Sequence, residues 1–101
     1  MANRADHLVL FKLKPEATDE QKQAALKALK SLKESVPGVL DLSAGLNFSE
    51  RSQGFEIGLL VRFSDRAALE AYGPHPAHQA VVRDYINPIK ADVIVVDYEL
   101  A

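Results

Sequence analysis

The chain of 101 residues contains no cysteine. That removes a disulfide scaffold, thiolate metal ligation and a cysteine nucleophile, and it suits a reducing cytoplasm. Excess positive charge is missing too: 12 Lys and Arg stand against 14 Asp and Glu, a net charge of −2. No basic stripe rises above that background to mark a nucleic-acid surface. Lys27, Lys30 and Lys33 do cluster, but at helical spacing they read as the solvated side of one helix. Long apolar runs are also absent. The opening MANRADHLVLFKLK has none of signal-peptide length, and nothing approaches the ~20 apolar residues of a membrane span. No glycine-rich phosphate loop, no G-x-S-x-G turn and no paired-carboxylate motif occurs. No internal repeat or linker divides the chain. These absences lead to one domain over residues 1–101, soluble and expected in the cytoplasm, without nucleic-acid or membrane partners.

About half the residues are apolar (48%), enough for a globular core. HLVLFKLK, residues 7–14, is dense in β-favouring side chains and stops at Pro15. Thr18-Asp-Glu-Gln21 has the hydroxyl and the amide of a capping box. Behind it Ala25, Leu26, Leu29, Leu32 and Val36 recur as one apolar stripe, closed by Pro37-Gly38, so the spacing predicts a helix. Residues 39–48 and 55–63 read as strands joined by the polar loop SERSQG. Ser64 is placed to cap a short helix through Tyr72, and Pro76 to open another that runs to about Tyr85. Residues 91–100 form the last strand. The order β-α-β-β-α-β predicts an α+β, ferredoxin-like fold: a four-stranded antiparallel sheet with helices on one face.

Two helices cover only one side of such a sheet, and the other side should then be polar. It is not. Val93 and Val95 point one way and Ile94, Val96, Tyr98 and Leu100 the other, while Leu8, Leu10 and Leu60 oppose the helix-facing set. An apolar patch of several hundred Å² is unusual on a monomer. The expected solution is a homodimer with two sheets face to face, a dimeric α+β barrel.

Chemistry-bearing residues concentrate in AYGPHPAHQA, residues 71–80. His78 shares a helix face with Val81, Val82 and Tyr85 and should point inward. Tyr72 closes the preceding helix one turn after Ala68 and Leu69, so its ring points inward as well. Gly73-Pro74 and Pro76 would set a rigid turn between them. His7 alternates with Val9 and Phe11, and Asp97 with Val95 and Val93. Both are expected on the floor of a cavity beneath the helices, and Asp97 there needs a partner such as His7. Each has a plainer reading. A lone inward histidine is more often a hydrogen-bonded core residue than a catalyst, Tyr72 could be an ordinary core aromatic, and His75 reads as a helix cap. His7, His78 and Asp97 could be read as metal ligands, but no tight ligand spacing supports that, and no side-chain metal site is expected.

Taken together, HLVLFKLK (7–14), VPG (36–38), GLN (45–47), YGPHPAH (72–78) and VVDYE (95–99) resemble the stress-responsive A/B barrel (Dabb) family. The resemblance spans nearly the whole chain. It implies a dimeric α+β barrel and includes the plant polyketide cyclase that makes olivetolic acid by a C2–C7 aldol condensation. That enzyme's catalytic tyrosine and histidine fall on Tyr72 and His78, and its pocket histidine and last-strand aspartate on His7 and Asp97. A first-helix tyrosine of that enzyme is Leu29 here, so the pocket is shaped for something else. Some relatives hold magnesium on backbone carbonyls that match Lys33, Val36 and Val39. The resemblance therefore implies a cofactor-independent cyclase-like or lyase enzyme for a small hydrophobic or aromatic ligand. The alternative is a non-catalytic, stress-associated ligand-binding or structural dimer.

Overall fold

Residues 2–101 are described by a computed structural model. Strand β1 (Ala5–Leu13) leads to helix α1 (Asp19–Ser35), then to β2 (Val39–Leu46) and β3 (Phe55–Phe63). Two short helices follow, α2 (Arg66–Tyr72) and α3 (Pro76–Val81). The second continues into a π-helical turn over Val82–Ile86 before β4 (Lys90–Glu99). The sheet is antiparallel in the order β2-β3-β1-β4, so the expected ferredoxin-like α+β fold is the observed one.

The start and end of α1 follow from named side chains. Thr18 Oγ1 accepts from the Gln21 amide while Gln21 reaches back to the Thr18 amide, so both halves of the capping box form. Ala25, Leu26, Leu29 and Leu32 then lie buried against the sheet, and each such leucine contributes about 1.5–3 kcal/mol by leaving water. The inner sheet face supplies Val9, Phe11, Ile57, Leu59, Val61 and Phe63.

Three local expectations are corrected. Asp65, not Ser64, caps α2, its carboxylate accepting from the Ala68 amide at 2.8 Å; Ser64 instead donates its own amide to the Gly38 carbonyl. Gly73 is helical (φ −54°, ψ −54°), so no turn there requires a glycine. In the π turn the Asn87 amide reaches the Val82 carbonyl five residues back. This wider turn rotates the following face, burying Ile86 and leaving Tyr85 exposed.

Gly38 joins α1 to β2 with φ +86°, and a Cβ there would sit 2.6 Å from the Ala68 Cβ. Both the left-handed backbone and the close approach of α2 demand glycine. Gly38→Ala should cost about 2 kcal/mol, read as a lower urea midpoint. An unchanged midpoint would mean that α2 does not press on this turn.

Candidate active site

Phe63 at the end of β3, Tyr72 at the end of α2, His78 in α3 and His7 in β1 form one aromatic cluster. The Phe63 and Tyr72 ring centroids are 5.1 Å apart at 70°, and those of His7 and Tyr72 5.7 Å apart at 66°. These are edge-to-face contacts. Tyr72 and His78 lie closest, at 4.3 Å. The α2–α3 connection sets that proximity: the His75 amide donates to the Tyr72 carbonyl, and the His75 ring caps α3 by accepting from the Ala77 amide.

His78 Nδ1 lies 3.0 Å from the Gly73 carbonyl oxygen. A carbonyl only accepts, so Nδ1 carries the proton and the neutral ring keeps its lone pair on Nε2. Burial holds the imidazole below its ordinary pKa; the Gly73 bond works the other way, and His7 and His75 add to the depression. Tyr72 is almost fully buried and its hydroxyl has no hydrogen-bond partner among the described residues. Burial pushes its pKa up to about 12, so it stays a donor over the whole working range.

His7 Nδ1 meets the Asp97 carboxylate at 2.5 Å, the partner that carboxylate needs. The carboxylate accepts, which leaves His7 Nε2 free to face inward.

A hollow of about 200 Å³ lies between the inner sheet face and α3. Val9, Phe11, Leu29, Val82, Val93 and Val95 give it an apolar wall, and His7, His78 and Lys90 its polar positions. The expected four residues are therefore not all in one cavity. His7 and His78 line the hollow, and Tyr72 is packed against both imidazoles without lining it. Asp97 lies in a neighbouring cleft of about 410 Å³, beside Arg66, Leu69 and Glu99. Strand alternation assigns Asp97 to the helix-facing side correctly, but the separation of the two clefts by the His7–Asp97 pair is a tertiary fact. Lys90 has no sequence signal. It is the first residue of β4, and its pairing with Leu13 follows an irregularity in the register. Leu29 reaches the hollow from α1, which confirms that an aliphatic group occupies the wall there.

The carbonyls of Lys33, Val36 and Val39 have donor chemistry that suits a hard cation. Pro37 has no N–H, so the Lys33 carbonyl lacks its helical donor. Val36 leaves the helix with extended dihedrals (φ −115°, ψ 122°). No group of three or more His, Cys, Asp or Glu side chains is arranged to hold a metal among the described residues. None of the described helices is long and apolar enough to cross a membrane.

Comparison with known proteins gives this arrangement a family. Residues 5–100 match the model of the Stress Responsive A/B Barrel Domain, Dabb. A stress-response A/B barrel domain-containing protein of Arabidopsis thaliana is 33% identical over 96 residues, which cover 90% of this chain and 35% of that protein. The chain thus spans about a third of the length of this curated relative. A dimeric ferredoxin-like protein of unknown function from Jannaschia is 33% identical with a TM-score of 0.74, covering 96% of this chain and 99% of that one. The hydroxynitrile lyase of Passiflora edulis superposes with a TM-score of 0.87 over 100% of this chain and 96% of its own, at 15% identity, a likeness of fold alone. With nearly its full length matched, the chain belongs to the stress-responsive A/B barrel domain family.

Proposed function

We propose that this domain is a cofactor-independent acid–base catalyst acting on a small apolar carbonyl compound, in the manner of a polyketide cyclase or lyase. The supporting observation is the packing of the His78 ring, whose lone pair is on Nε2, against the Tyr72 ring with centroids 4.3 Å apart, together with a Tyr72 hydroxyl that has no partner among the described residues. Nε2 takes a proton from the carbon next to a carbonyl. The C–H electron pair becomes the enolate, and the charge on its oxygen is met by the Tyr72 hydroxyl. The enolate carbon then attacks a second carbonyl of the same molecule. A C–C bond forms, that C=O π pair moves to oxygen, and the His78 imidazolium returns the proton there. Asp97 fixes the His7 ring, and His7 with the apolar wall orients the substrate. The carbonyls of Lys33, Val36 and Val39 would hold a magnesium ion at the end of α1, tying the helix to β2. No step needs it.

The chain is proposed to work as a homodimer through its outer sheet face, in a cytoplasmic setting. Leu60, Ile94, Val96 and Tyr98 are all more than a third exposed on that face, and adjoining large apolar side chains left in water mark an interaction surface.

A second reading, ligand binding without catalysis, is favoured by one observation: Tyr72 does not line the hollow. Histidine NMR titration separates the two. With a phenyl alkyl ketone as probe, His78 should show the Nδ1–H tautomer, a midpoint below 6.5 and a shift of that midpoint on binding. A His78 indifferent to carbonyl probes that nonetheless bind would leave only the binding role.

A further inference from the structure

The hollow beneath α3 carries a cation that the proton transfers above do not use. Side chains on β4 alternate, so that Val93 and Val95 turn inward with their partners Phe11 and Val9, while Asp92, Ile94 and Val96 turn outward. Continued to the start of the strand, that alternation would send Lys90 outward as well. It breaks there. Lys12 pairs with Asp92 and Leu13 with Lys90, so one step along β1 is matched by two along β4. Ala91 is the extra residue of a β-bulge. The bulge turns Lys90 to the side of its partner Leu13, which is buried in the core. Beyond it the Lys14 amide donates to the Ile89 carbonyl at 2.7 Å, which fixes the turn.

A lysine aimed into this hollow is costly. Most of the wall is apolar and no carboxylate lines it. No ion pair among the described residues includes Lys90. The side chain is only partly exposed, and an ammonium beside apolar groups gives up hydration without a counter-charge in return. Strict alternation would have avoided that cost. Bulges next to active sites re-aim single side chains in this way.

We propose, on the reading of this hollow as the ligand site, that Lys90 binds an anionic end of the substrate, a small elongated carbonyl compound with a carboxylate remote from its reacting carbonyl. Register gives the shape. His7 and Leu13, the partner of Lys90, lie six residues apart on β1, about 20 Å between their backbones. The histidine ring and the long lysine chain both shorten that gap. Imidazole and ammonium thus mark two ends of the hollow, with Val9, Phe11, Val93 and Val95 between them. A carbonyl at the His7–His78 end and a carboxylate at the Lys90 end match this polarity. One ammonium and no arginine lines the hollow, which suits a carboxylate better than a phosphate, whose sites recruit several donors. The volume of about 200 Å³ lies below the ~300–1,000 Å³ of sites for drug-sized ligands, so the acid is a small one.

Calorimetry with para-acetylbenzoate and its methyl ester tests the assignment on the full chain. The two probes share a ring and a ketone and differ in the charge at the far end. The native chain should bind the acid roughly tenfold or more tightly than the ester, and the preference should shrink in high salt. Lys90→Met keeps an unbranched side chain without the charge. It should leave the circular dichroism and the ester affinity unchanged and abolish the preference for the acid, whereas Lys90→Arg should retain most of it. Equal affinity of the native chain for acid and ester, or an undiminished preference in Lys90→Met, would overturn the role of Lys90. So would an equal loss of both probes in Lys90→Met. Exchange of the ketone's α-protons in D₂O reports separately on the acid–base reading. A Lys90-dependent preference for an acid that does not exchange keeps Lys90 as its partner and ends the catalytic reading. Exchange without any preference does the opposite.

Discussion

Replacing His78 by glutamine should slow α-proton exchange of a phenyl alkyl ketone in D₂O by about 10²–10⁴-fold. Glutamine keeps an N–H that can donate to the Gly73 carbonyl, so the α2–α3 corner should survive while the basic lone pair is lost. The pH profile of the native chain adds a second readout. Burial sets the His78 pKa below its ordinary 6.5. The imidazolium is no base, so the rate should climb as pH rises through that depressed value. It should then stay level, since Tyr72 ionises only near 12. In His78→Gln the acid limb should vanish along with the rate. A glutamine variant with native exchange would assign any observed chemistry to another group and end the acid–base reading.

The same burial makes a stability statement with a definite sign. The folded pKa of His78 lies below the unfolded value, so below pH 6.5 the unfolded chain binds more protons. Folding free energy is then lost as pH falls towards the folded pKa. Asp6, held low by the Arg62 hydrogen bonds despite its burial, works in the same direction at still lower pH. The domain is therefore expected to be acid-sensitive in two steps, one of which His78→Gln removes.

How far the sequence carries can be judged residue by residue. The α1 start was legible because Thr18 and Gln21 act through the backbone next to them, and its end because Pro37 cannot continue a helix. Strand alternation assigned each face of β1, β3 and β4, since a two-residue period leaves no other choice once one face is buried. The inward position of Tyr72 and His78 followed from helical spacing alone. Tyr85 shows where spacing fails. A single wide turn at Val82–Ile86 shifts the face, and nothing in VRDYI announces it. Asp97 shows a second limit. Alternation gives the side of the sheet, but the clefts on that side are divided by side chains from other elements, here the His7 ring. The Asp6–Arg62 pair is a third case: a carboxylate only 2% exposed on the outer sheet face is fixed by cross-strand register, which a single strand does not contain.

Tyr72→Phe should separate catalysis from packing more cleanly than any other change. The ring is held by Phe63, His7 and His78 at 4.3 to 5.7 Å, and phenylalanine keeps all of those contacts. What disappears is a buried hydroxyl with no partner among the described residues. An unsatisfied buried polar group costs about 1–3 kcal/mol, so the variant should be as stable as the native chain or more stable, with a higher urea midpoint. If the hydroxyl serves as the donor to a developing enolate oxygen, ketone exchange should at the same time fall by about 10²–10³-fold, as for loss of one oxyanion donor. A buried donor left idle in the free protein and used only against a transition state trades stability for activity in this way. If the variant gains stability and exchanges at the native rate, Tyr72 is a core aromatic and His78 acts without it. If it loses stability, its hydroxyl already has a partner in the free protein, and no idle donor is held in reserve.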